Sequence, residues 1–159
     1  MSNSRSGVVN HRDEFISNMM AMLTSGTSND VKIVLSDGEI QANKDVLSAQ
    51  SDYFATMFRD NKFIEGEKNS VDFPHCSKNI MEKIVKYLFS GEMTLHDMTL
   101  SDLVTMLNMT TMMMLVALKD DIQRHLLDII PKSGEDGDAL PELVKSLMLA
   151  EQVILRLLQ

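Results

Sequence analysis

Tryptophan is absent from this 159-residue chain, and cysteine occurs once, as Cys76. A lone thiol excludes an intrachain disulfide, so a reducing compartment fits best. Glycine occurs seven times and proline three, and no glycine falls in a GxGxxG or GxxxxGK pattern, which leaves no phosphate-cradling loop. Positive charge is scarce: 15 Lys and Arg stand against 23 Asp and Glu, a formal charge of -8. Without a basic cluster to neutralise phosphates, no nucleic-acid surface is expected on this chain. The longest apolar run, Met112 to Leu118, has seven residues, far short of the ~20 needed to cross a bilayer. Met1 to Asn10 is polar, with no apolar core of a secretory signal. No membrane contact is expected, and the expected location is the cytoplasm, the nucleus or both. On that reading the acceptor triplet Asn108-Met109-Thr110 is chance.

What is present has a globular balance, 44% apolar and 24% charged, with an excess of 14 Met. The length suits one domain plus a short appendage. About 68–70% of the extended-chain surface can be buried at this size, so neither metal nor disulfide is required.

Along the chain, residues 1–11 read as a flexible tail. From Arg12 to Thr24, Phe15, Ile16, Met19, Met20 and Leu23 recur at helical spacing, and Ser25-Gly26 ends the run. Val31 to Leu35 and Glu39 to Ala42 read as strands joined at Asp37-Gly38, a pair suited to the positive φ angles of a type I′ turn. Asn43 is an N-cap candidate for a short helix, and Ser51 for a second carrying Tyr53, Phe54, Met57 and Phe58. A polar loop follows, then a short strand from Ser70 stopped by Pro74. Ser77 opens an amphipathic helix burying Ile80, Met81, Ile84, Val85, Leu88 and Phe89, closed by Gly91. From Thr99 or Ser101, helical periodicity burying Leu103, Val104, Met106 and Leu107 runs to Ile130. That is long for a globular helix, so a break near Met112 to Val116 is predicted. Residues 131–139 read as an acidic linker, and 140–159 as the start of a further helical region.

Catalytic chemistry finds no support. His75 and Cys76 are adjacent on a strand end and point apart, with no third group to orient them. The His residues are too scattered for zinc, and Met112, Met113 and Met114 would face different directions on a helix, which favours packing over a soft-metal site. No enzyme activity, metal or cofactor is expected. The residues alone describe an α+β binding or assembly module.

The order of hairpin, the segment Ala42 to Phe58, a strand, and Tyr87-Leu88-Phe89-Ser90-Gly91-Glu92 resembles a BTB/POZ domain over roughly residues 12–130. The most specific stretch is Val46 to Phe58, where the family's Leu, Ser, Tyr-Phe and Met-Phe positions are filled. Asn43 stands where the family usually has His, and Phe89-Ser90-Gly91 where it has an aromatic-Thr-Gly turn. The resemblance implies a small, mostly antiparallel sheet flanked by helices, and a C-terminal extension like the 3-box or BACK helices of cullin-3 adaptors. It also implies a final helix with Leu118, Ile122 and Leu126 on its inner face.

Two non-catalytic activities follow from the resemblance. One is homodimerisation through the N-terminal helix, with Phe15, Met19 and Leu23 at the interface. The other is recruitment of the cullin-3 N-terminal region by Phe63-Ile64-Glu65, a hydrophobic-x-Glu motif, with Tyr53 and Met57 alongside. On this reading the chain is a homodimeric adaptor in a cullin-3 ubiquitin ligase, with its substrate-selecting domain elsewhere. The alternative is the dimerising, corepressor-binding domain of a transcriptional regulator.

Overall fold

The computed structural model describes Gly7, residues 9–59 and residues 69–129. Phe63, Glu65, the expected linker 131–139 and the expected extension 140–159 lie outside the described residues. The chain divides into two compact units, one running to Thr94 and including Met112–Met114, the other comprising Leu95–Thr111 and the chain from Leu115 onward.

In the first unit, helix α1 spans Arg12–Ser25, with Asp13 and Glu14 in the first turn, where carboxylates suit the positive end of the helix dipole. The Asn10 side chain accepts from Arg12 N at 3.1 Å. Gly26 ends α1 at φ 69°, the left-handed position that glycine adopts without strain. Strands β1 (Val31–Leu35) and β2 (Gly38–Ala42) form the expected hairpin, paired Val31 with Ala42 through Leu35 with Gly38. Its turn differs from the expected type I′. Ser36 and Asp37 make the loop, Gly38 opens β2, and Asp37 does not take positive φ. The cause is tertiary: the Asp37 carboxylate accepts from Lys78 N at 2.6 Å. Ser36 meanwhile donates its N–H and its hydroxyl to the Cys76 carbonyl, both at 3.1 Å.

Helix α2 spans Lys44–Gln50 and is capped as expected, Asn43 Oδ1 accepting from Val46 N at 3.0 Å. Helix α3 spans Asp52–Arg59. Ser51 sits between them and is 2% exposed. Its N–H donates to Leu47 O at 3.0 Å and its carbonyl accepts from Ala55 N at 2.9 Å. Its hydroxyl accepts from Phe54 N at 3.4 Å and donates to Met113 O at 2.8 Å. Phe54, fully buried, stacks on Phe58 at 5.7 Å and meets Tyr53 and Phe73 edge-on at 5.4 and 6.3 Å.

Strand β3 (Ser70–Phe73) pairs with β1 in parallel, giving the sheet order β2-β1-β3. The α+β class holds, while the expected mostly antiparallel sheet is, among the described residues, a mixed one. The reason is connectivity: the hairpin brings the chain back to the end where β1 starts, Ala42 opposite Val31, and β3 sets out from that same end, Ser70 opposite Lys32, so it runs with β1. Val31, Ile33, Leu35, Ala42, Val71 and Phe73 are the buried side of the sheet. Helix α4 (Lys78–Ser90) starts at the predicted cap, Ser77 Oγ accepting from Ile80 N at 3.4 Å, and ends at Gly91 with φ 76°. All six residues predicted for its apolar face are buried. Helix α4 packs against α1, α2 and β2.

The second unit is described by α5 (Leu100–Met112) and α6 (Val116–Ile129). Thr99 caps α5, its hydroxyl accepting from Asp102 N at 3.1 Å. Leu103, Met106 and Leu107 are buried as predicted, with Met109 and Thr110 beside them; Val104 is half-buried. On α6, Leu118, Ile122 and Leu126 are at most 3% exposed. The predicted break lies between the two helices. Met114 takes the left-handed conformation at φ 57°, and Leu115 N donates to Thr110 O at 2.9 Å, the six-to-one bond of a Schellman ending. Met does there what Gly usually does.

Ser51→Ala removes the hydroxyl bonded to Met113 O and should cost about 1–3 kcal/mol of folding stability. Urea unfolding monitored by circular dichroism measures it. The exposed control Ser17→Ala should stay within about 0.5 kcal/mol of the parent.

Candidate interaction surfaces

Among the described residues no three His, Cys, Asp or Glu side chains come close enough to hold a metal ion, and no helix is long and apolar enough to cross a membrane. Cys76 is 1% exposed. Burial pushes its thiol pKa up, and the nearby Asp37 carboxylate adds to the shift, against a weaker opposing hydrogen bond from the Met81 backbone. A thiol held protonated is a poor nucleophile. His75 is exposed while Cys76 is buried, in keeping with the opposite directions expected of them.

Helix α1 is built differently from its neighbours. At 100° per residue, Phe15, Ile16, Met19, Met20, Met22 and Leu23 fall within about 160° of arc, wider than the stripe one packing partner covers. The helix packs against α4, yet it has no buried residue. Phe15 is 65% exposed, and Met19 and Leu23 are half-buried. The three residues predicted for a dimer interface thus share one incompletely covered face. Just before it, Val9, Asn10, His11 and Arg12 join Phe15 and Ile16 around an open depression of about 520 Å³. The sequence reading placed Val9 to His11 in a tail and did not anticipate the depression, because a polar run carries no periodicity that would signal it.

The second predicted surface begins on α3. Tyr53 and Met57 are four residues apart, on one helix face, and both are half-buried. The Tyr53 ring leans on Phe54 and Phe73, so its position is set by the core. Phe63 and Glu65, predicted to complete this surface, lie outside the described residues. Lys44 was not anticipated: its ammonium lies over the Phe58 ring at 5.5 Å and reaches Asn69 Oδ1. Asp30 Oδ1 accepts from Lys44 N at 2.8 Å, tying the start of α2 to the segment before β1. A Lys fourteen residues before an aromatic gives no local signal of such contact.

The chain matches the profile of the BTB/POZ domain over residues 19–128. It is 39% identical over 72 residues to the human Rho-related BTB domain-containing protein 2, covering 45% of this chain and 10% of that protein. It is 31% identical over 96 residues to human Kelch-like protein 4, covering 60% and 13%. The Kelch repeat and BTB domain-containing protein 1 of vaccinia virus (strain Copenhagen) is 29% identical over 87 residues, covering 55% and 15%. The matched region therefore spans only 10–15% of the length of these relatives. Among solved structures, the BTB domain of zebrafish PATZ1 superposes with a TM-score of 0.62 at 16% identity, over 77% of this chain and 99% of that one. The BTB domain of human gigaxonin gives 0.56 at 22% identity, over 79% and 100%. These two likenesses show the fold.

The burial of Cys76 can be checked directly. At pH 8 it should resist iodoacetamide in the folded chain and react after denaturation, read by intact mass; fast native labelling would contradict its burial. As pH rises, the unfolded thiol ionises first, so above about pH 8.5 the unfolded state holds fewer protons and this group lowers stability.

Proposed function

The chain belongs to the BTB/POZ family, and from that premise we propose that it is a homodimeric adaptor that recruits the cullin-3 scaffold of a ubiquitin ligase. A BTB/POZ domain is a protein-interaction module, and the question is what it binds. The observation that carries the proposal is α1, a 14-residue helix with no buried side chain and Phe15 65% exposed. A face of that kind is stabilised by a partner, and an identical α1 from a second copy supplies the same chemistry.

Scaffold recruitment is supported by Tyr53 and Met57 on α3, by the motif Phe63-Ile64-Glu65 in the sequence, and by the relatives' architecture. Several relatives are named for kelch repeats joined to a BTB domain, and kelch repeats form propellers with binding surfaces of their own. An adaptor needs two such surfaces, one for the scaffold and one for the substrate. In this proposal Phe63 enters a pocket on the partner and Glu65 sets its register, with Tyr53 and Met57 flanking them. The adaptor works in the cytoplasm, the nucleus or both.

Burying Phe63 in a partner should contribute ~2 kcal/mol or more, about thirtyfold in affinity. Calorimetry against the cullin-3 N-terminal region tests the assignment. The unmodified chain should bind, and Phe63→Ala with Glu65→Ala should weaken binding about thirtyfold or more while leaving the circular dichroism spectrum unchanged. Equal affinity for both forms would contradict the scaffold assignment.

A further inference from the structure

The methionine triplet at the end of α5 divides in the structure. Met113 is fully buried, whereas Met112 is 41% and Met114 60% exposed. Packing accounts for Met113 and for Met81 and Met106, all fully buried; it does not account for its two neighbours. The division falls where the helix ends. The Met113 carbonyl is held by the Ser51 hydroxyl at 2.8 Å, and Met114 sits at φ 57° to end the helix. Met112 and Met114 are thus accessible side chains in the folded chain, flanking a buried one.

We propose that Met112 and Met114 form a peroxide-sensitive modification site. A sulfur lone pair attacks one oxygen of the hydroperoxide; the S–O bond forms as the O–O bond breaks. Sulfur is oxidised by two electrons to the sulfoxide, and with hydrogen peroxide the second oxygen is reduced, takes up the proton of the transferred oxygen and leaves as water. The oxidant is a peroxide, and methionine sulfoxide reductases reverse the change. Oxidation replaces two apolar surface side chains with polar, chiral ones, and both can be converted while the Ser51–Met113 bond stays in place. The chain's lone thiol is not a competing target, because Cys76 is buried and thiol oxidation follows exposure and thiolate character.

The triplet carries its own internal control. The folded full-length chain is treated with graded hydrogen peroxide, digested, and each methionine's conversion read by fragment mass spectrometry. Among the methionines of the described residues, Met114 and Met112 should convert first. Met113, reachable only through local opening, should convert at least about tenfold more slowly, with near-ultraviolet circular dichroism unchanged over the fast phase. Met113 converting alongside its neighbours in the folded chain would overturn the proposal. So would Met112 and Met114 reacting no faster than the half-buried Met93 and Met98. As a second measurement, Met112→Leu with Met114→Leu should lower the fast oxygen uptake seen by intact mass by two oxygens per chain, and an unchanged fast uptake would equally overturn the assignment.

Discussion

One buried serine organises much of the first unit. Ser51 ends α2 with its N–H, starts α3 with its carbonyl and hydroxyl, and spends its hydroxyl proton on the carbonyl of Met113, 62 residues later. A buried carbonyl without a partner costs about as much as a lost hydrogen bond. At the end of a helix, carbonyls have no intrahelical donor, so the α5 break needs a donor from elsewhere. Ser51 is that donor, and the position of α3, with Tyr53 and Met57 on it, depends on the same residue.

The elements legible in the sequence are those set by neighbours in the chain. Six apolar residues at helical spacing between Ser77 and Gly91 define α4 completely, and Asn43 caps α2 because the cap and its target are three residues apart. The break near Met112 to Val116 was legible from helix length alone. What escaped was decided at a distance. Asp37-Gly38 has the composition of a type I′ turn, but the Asp37 carboxylate is drawn to the start of α4, a stronger claim than the local preference because a charged acceptor meets free helix N–H groups. The parallel pairing of β3 with β1 likewise depends on the end of the sheet from which β3 sets out, beside the start of β1. The periodicity of α5 placed Met106 and Leu107 inside correctly, but it could not show that Met114 leaves the helix and turns outward.

The candidate surfaces were legible to the extent that they are periodic. Phe15, Met19 and Leu23 form a stripe in the sequence, and the structure places them on a helix that buries none of them. Tyr53 and Met57 share a face for the same reason. An incompletely covered apolar helix suits the protein-interaction role of a BTB/POZ domain. Of the 14 methionines, Met81, Met106 and Met113 serve core packing, and Met112 and Met114 beside the last of these are exposed.

The central claim is that a second copy of this chain covers the apolar face of α1. Light scattering coupled to gel filtration at micromolar concentration measures it most directly. The account predicts a molar mass about twice the 17.9 kDa of one chain, falling to the single-chain value in Phe15→Glu with Met19→Glu while the circular dichroism spectrum is retained. A parent chain that elutes with the mass of one copy would contradict it.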